Sequence, residues 1–324
     1  MSRPVLIAGL GLLTLLLAGL SLMAGRVWVP FDAWAEMTDP RWAIIFELRV
    51  PRTLLGVLVG AALGASGAAL QGYTRNPLAD PGVLGVSSMA ALGGVISLYF
   101  GLVTDSPWVL PTLAIGGAGA GVLLLLLLAG STSGIVTFVL AGVVLQTVAT
   151  AGTALALNLA PTPWAVNEIV NWLMGSLADR SVEEVRLAAP FILVGLALLM
   201  TTARGLDALT LGETGAASLG VDLKALRLVL VAAVALMVGA SVAVTGVIGF
   251  VGLLVPHLVR PLVGGRPGAL LLPSALAGAT LVLAADIVVR LTPSAAEVKL
   301  GVAMAALGGP FFLLLLARLR RRIA

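Results

Sequence analysis

Apolar runs recur along the whole chain, at about residues 5–24, 53–72, 83–103, 109–129, 135–158, 186–203, 226–245, 249–263, 270–291 and 300–317. A run of about 20 apolar residues matches the roughly 30 Å of hydrocarbon in a bilayer. The pattern predicts an all-α integral membrane protein with about ten transmembrane helices in a single domain, 1–324. Barrel strands would instead alternate over about ten-residue segments. Residues 228–263 are almost wholly apolar and would run about 54 Å as one helix, so a turn near Gly246, Gly249 and Gly252 is expected to divide them. The first run is longer than a signal-peptide core and lacks a clear A-x-A site, which favours a retained helix. Residues 26–52, with Trp28, Pro30, Pro40 and Trp42, read as a loop.

Composition supports the membrane assignment. Of the 324 residues, 60% are hydrophobic and 10% charged, against about a quarter charged in a soluble domain. Thirty-nine glycines suit helices that approach closely in lipid. The absence of cysteine excludes disulfides and thiolate chemistry, and a single histidine excludes a histidine cluster. The net charge of +4 does not indicate nucleic acid, because the basic residues are scattered except for Arg318, Arg320, Arg321 and Arg322. An even number of spans puts both termini on one side, and those arginines make it the cytoplasmic side. Lys and Arg then number eleven inside (Arg3, Arg75, Arg204, Lys224, Arg227, Arg260, Arg266 and the last four) and eight outside.

Gly56, Gly60 and Gly64, followed by Gly67, give one helix a smooth face suited to close packing, and Gly117 and Gly121 have the same explanation. No G-x-x-x-x-G-K-[ST] loop is present, so any ATP must be bound by another chain. The prolines and glycine of residues 73–88 break the helix between the second and third spans. The stretch from Arg49-Val-Pro-Arg52 through Gly67-Ala-Ala-Leu-Gln-Gly72 to Asn76-Pro-Leu-Ala-Asp-Pro-Gly-Val-Leu-Gly85 closely resembles the permeases of the iron-chelate and cobalamin ABC importer family. Gly212-Glu213 to Leu219-Gly220-Val221, Gly246 through His257 to Arg260, and Gly308-Gly-Pro-Phe-Phe312 extend the resemblance in the same order. Ala296-Glu-Val-Lys-Leu-Gly301 departs from it, with Lys299 where the family more often has proline.

The resemblance implies a ten-helix, type II importer permease in the bacterial cytoplasmic (inner) membrane. Its implied partners are a second permease copy, giving a homodimer, two cytoplasmic ABC ATPase subunits that bind ATP and Mg, a periplasmic substrate-binding protein, and lipid. The chain itself would carry no cofactor, metal or catalytic residue. The implied cargo is a ferric siderophore, haem or cobalamin. By the same resemblance, Asn76 and Leu78 would form the cytoplasmic gate, and Arg49, Arg52 and Arg290 would dock the binding protein.

The predicted cytoplasmic segment 204–227 reads as two short helices with Gly220 as a C-cap and a small-residue face at Ala216, Ala217 and Ser218. The resemblance makes Gly212, Glu213, Ala216, Ala217, Leu219, Gly220 and Val221 the ATPase-coupling residues. Asp286 and Arg290, four apart, admit both a local ion pair and a docking role for the arginine. His257, after Pro256, reads as structural. Two other classes stand beside the importer: an ion-coupled secondary transporter using Asp286, and an intramembrane enzyme, for which no nucleophile–base pair or ligand cluster is evident.

Overall fold

The computed structural model describes residues 2–25, 27–104, 106, 108–130, 134–293 and 297–323. Arg26 and Ala296, named above, lie outside the described residues, and so do the side chains of the four C-terminal arginines. Among the described residues every regular element is helical. The chain begins with α1 (Arg3–Met23), α2 (Asp32–Ala35) and α3 (Pro40–Ala43), which leads through a π segment (Ile44–Arg49) into α4 (Val50–Thr74). A 3-10 turn (Pro81–Leu84) precedes α5 (Val86–Tyr99), followed by α6 (Val109–Ala129), α7 (Ile135–Asn158), α8 (Pro163–Leu173) and α9 (Val182–Thr201). The rest comprises α10 (Ala203–Ala208), α11 (Gly212–Ser218), α12 (Leu223–Thr245), α13 (Val251–Val259), α14 (Pro267–Leu291) and α15 (Leu300–Ile323).

Seven helical stretches among the described residues are long and apolar enough to cross a membrane, and three shorter apolar helices accompany them. Together they account for the ten apolar runs, with four departures. The second run becomes helical at Pro40 rather than near residue 53, because Asp39 Oδ1 accepts from Arg41 N at 2.8 Å and Pro40 opens the first turn. The third is shortened to the 14 residues of α5, since Gly85 (φ +73°) breaks it after the 3-10 turn. The eighth is only nine residues, entered through Phe250 at φ +67°. The unanticipated α8 starts at Pro163 under a Thr162 cap and buries Ala165 and Ile169. The turn expected near Gly246 is present: α12 ends at Thr245 and Gly246 takes φ +70°.

The core is organised around α4 and α14. A Cβ at Gly60 would fall on the Gly278 carbonyl, one at Gly64 on the Ser274 carbonyl, and one at Gly67 on the Gly252 carbonyl. Backbone therefore lies on backbone, the close approach that small residues allow in lipid. Gly117 sits in the same way on the Met89 carbonyl of α5, and Gly121 against the Met89 side chain. By contrast α1, α6, α7 and α9 expose large apolar side chains such as Leu15, Leu127, Val136 and Leu193. Lipid, not water, is the solvent those faces fit.

Candidate functional site

Three features stand out: a charged cavity at one end, a helical segment at the opposite end, and the turn between α4 and α5.

At one end, Asp286 of α14 is 1% exposed and pairs with two guanidinium groups. Arg52 Nη2 donates to its Oδ1 at 2.8 Å, and Arg290 Nη2 lies 3.0 Å from Oδ2. Arg52 also bonds Glu297. The 7%-exposed Arg290 donates to Ser21 O at 2.9 Å, Ala24 O at 3.1 Å and Ser21 Oγ at 2.5 Å. Arg49, 6% exposed, donates to Leu22 O at 2.9 Å, Met23 O at 3.1 Å and Val27 O at 2.5 Å. Two cations thus satisfy the carbonyls at the C-terminal end of α1, where the helix dipole favours positive charge. All three arginines border one open cavity of about 220 Å³, with Asp179 and Glu297 on its wall. The structure therefore brings the sequence-predicted docking arginines together, yet engages each internally. The Asp286–Arg290 pair exists, and Arg52 makes it a three-residue cluster.

At the opposite end, α10 and α11 are the two short helices expected between 204 and 227. Gly220 (φ +83°) closes α11 in a Schellman arrangement: Val221 N donates to Ala216 O at 3.1 Å and Gly220 N to Ala217 O at 2.9 Å. Gly212 enters α11 at φ +89°, where glycine is required. One expectation is corrected: Ala216 is fully buried within the chain and offers nothing to a partner. A two-turn helix lying on the bundle must point one side inward, and Ala216 is on that side. The outward face instead carries Ala217, Ser218 and Leu219, with Leu211 at its start; Leu211 is 67% and Leu219 65% exposed.

Glu213 also points inward. Its Oε1 accepts from Ile135 N at 3.0 Å, capping α7, while Asp207 Oδ1 of α10 accepts from Gly268 N at 2.8 Å and caps α14. Arg227, at the start of α12, donates from Nε to Tyr73 Oη at 2.7 Å and lies 5.4 Å over the Phe138 ring.

The turn after α4 begins at Arg75 in the left-handed region, φ +52°. Asn76 Oδ1 accepts from Leu78 N at 2.9 Å, and Asp80 Oδ1 from Gly82 N at 2.8 Å. Side chains thus satisfy the backbone N–H groups of Leu78 and Gly82 at this break. Asn76, Leu78 and Asp80 line a cavity of about 60 Å³ together with Val139 of α7. Glu297, Asp207 and Tyr73 were not legible as site residues. Glu297 lies in the stretch flagged as divergent, and the other two carry no periodic or spacing signal.

A helical bundle of membrane-spanning length, with a charged cavity at one end and a capped surface segment at the other, marks a polytopic membrane protein. Residues 12–318 match the FecCD transport family, and the chain belongs to it. It is 40% identical over 313 residues to the vitamin B12 import system permease protein BtuC of Shigella boydii, covering 96% of this chain and 94% of that protein. It is 39% identical over 316 residues to the Fe(3+) dicitrate transport system permease protein FecD of Escherichia coli K12, covering 95% and 98%. A solved structure described as an inward-facing conformation of a metal-chelate type ABC transporter superposes with a TM-score of 0.86 at 34% identity, covering 98% of this chain and 99% of the other. The chain is accordingly an ABC importer permease subunit, not itself catalytic. Asp286, clamped between Arg52 and Arg290, has the surroundings of a structural anion, and nothing favours the ion-coupled alternative.

Proposed function

We propose that this permease works as a homodimer with two ATPase subunits and a periplasmic binding protein, and moves an iron chelate or cobalamin into the cytoplasm. The observation that carries this reading is the pairing of two unlike ends on one bundle: three arginines around an open cavity outside, and an outward face on α11 inside that exposes Leu211 and Leu219. The chain holds no phosphate-binding loop, so ATP energy must arrive through a protein contact. Leu211, Ala217 and Leu219 supply a surface for it, and Gly212, Gly220 and Val221 shape the backbone that presents it. Asn76 and Leu78 serve as the gate, and the arginine cavity receives acidic groups of the binding protein. The relatives' names, vitamin B12 import and Fe(3+) dicitrate transport, support this cargo class.

The test is uptake into proteoliposomes of cobalamin and of ferric citrate, with ATPase subunits and binding protein present. Accumulation should require ATP and every partner. Uptake by the permease alone on an ion gradient would overturn the reading.

A further inference from the structure

The cytoplasmic segment is fastened to the bundle at places of very different stiffness. Asp207 ties α10 to the start of α14, whose backbone is locked against α4 at Gly60, Gly64 and Gly278. Glu213 ties α11 to the start of α7, a helix that leaves most of its surface uncovered by the rest of the chain. A displacement of α11 will therefore move α7 more readily than it moves the α4–α14 pair. The first turns of α7 also contribute to the gate cavity: Val139, one turn beyond Ile135, lines it together with Asn76 and Leu78.

We infer that Glu213 is the positioning residue through which movement of α11 reaches the gate turn, by holding the first backbone N–H of α7. This deepens the proposed function and rests on its gate and coupling assignments. It also reassigns Glu213, which acts inside the chain instead of touching the ATPase. The linkage is continuous: Glu213 Oε1 to Ile135 N at 3.0 Å, then one helical turn to Val139 at the cavity. Phe138, beside Val139, packs 5.7 Å from Tyr73 at the end of α4, so the same turn of α7 is seated against the helix that leads into the gate. A chain of packed groups with two arrangements is what transmits coupling over such a distance.

The chain contains no cysteine, so Leu78→Cys gives a unique probe on the gate turn. Maleimide labelling of position 78 is measured in the permease–ATPase complex without nucleotide and with Mg-ATP. The parent should show a nucleotide-dependent rate. Adding Glu213→Ala should leave the ATPase copurifying while reducing that nucleotide-dependent difference by about fivefold or more. Glu213→Gln, which keeps an oxygen acceptor, should restore most of it. Ile135→Pro removes the donor at a first-turn position that proline tolerates and should reproduce the loss, giving a second approach if the alanine variant fails to fold. A full nucleotide response in Glu213→Ala or Ile135→Pro overturns the inference while leaving the gate reading intact. Loss of ATPase copurification in Glu213→Ala would make Glu213 an assembly contact and overturn it as well. A parent that never responds to nucleotide removes the gate reading and this inference with it.

Discussion

Arg49, Arg52 and Arg290 are each tied to partners within the chain, so deleting any of them disturbs the fold as well as the cavity. Removing one partner of a buried ion pair typically costs about 3–5 kcal/mol. Docking is better tested through Glu297, whose side chain is 34% exposed and which competes for Arg52 from the rim. Glu297→Gln should raise the positive charge of the cavity by one, accelerate binding-protein association by about two- to tenfold at low salt and steepen its salt dependence. Unchanged kinetics would place docking elsewhere. Asp80 offers a second test at the same scale. Burial raises its pKa above the usual carboxylate range, only partly offset by the bond from Gly82 N. The folded state then holds the proton more tightly than the unfolded state, so this group's contribution is most favourable at low pH. It declines as pH rises through the folded value. Asp80→Asn retains the acceptor and removes the buried charge, so its thermal midpoint in detergent should exceed wild type near pH 7, with the gap closing towards about pH 4. A pH-independent shift would exclude desolvation as the cause.

Helix pairing shows what the sequence pattern conveys and what it omits. Gly60 and Gly278 face each other backbone to backbone, whereas Gly116 and Gly119 have nothing within 4 Å of a built Cβ. Gly60→Ala should therefore cost about 1–3 kcal/mol by overpacking, and Gly116→Ala should be neutral or slightly stabilising through helix propensity. Thermal unfolding of both variants in one detergent checks the contrast, and equal effects would mean that α4 and α14 do not meet at these residues. Apolar run length located the seven span-length stretches and the three shorter apolar helices, because the bilayer imposes it, but not the short helices between them. The break at Gly246 was legible because glycines marked it, whereas the one at Gly85, inside the expected third run, was not. The helical continuation back to Pro40 was missed because Arg41, Glu47 and Arg49 interrupt the apolar pattern, although the Asp39-Pro40 start signal was present in the sequence. The arginine cluster required tertiary structure: Arg52 and Asp286 are 234 residues apart, and no local spacing joins them.

At the scale of the whole molecule, the proposed function makes one surface decisive, the one offered to an ATPase, and the orientation of α11 determines which residues would belong to it. Ala216 and Ala217 are adjacent and identical in chemistry, and sequence alone cannot separate them. Because successive helical residues point about 100° apart, one is fully buried and the other exposed. The two therefore make a controlled comparison. Ala216→Trp drives a large ring into the bundle, where overpacking should cost about 1–3 kcal/mol or more and lower the thermal midpoint of the isolated permease. Ala217→Trp should leave that midpoint unchanged, since its ring projects outward beside Leu219, but should block close approach of the ATPase. Copurification of the ATPase and ATP-driven uptake should both fall in Ala217→Trp, while detergent stability and binding-protein docking remain at wild-type levels. If the Ala217→Trp permease assembles and transports normally, the outward face of α11 is not the coupling surface, and the contact through which ATP hydrolysis reaches this chain must lie elsewhere on its cytoplasmic side.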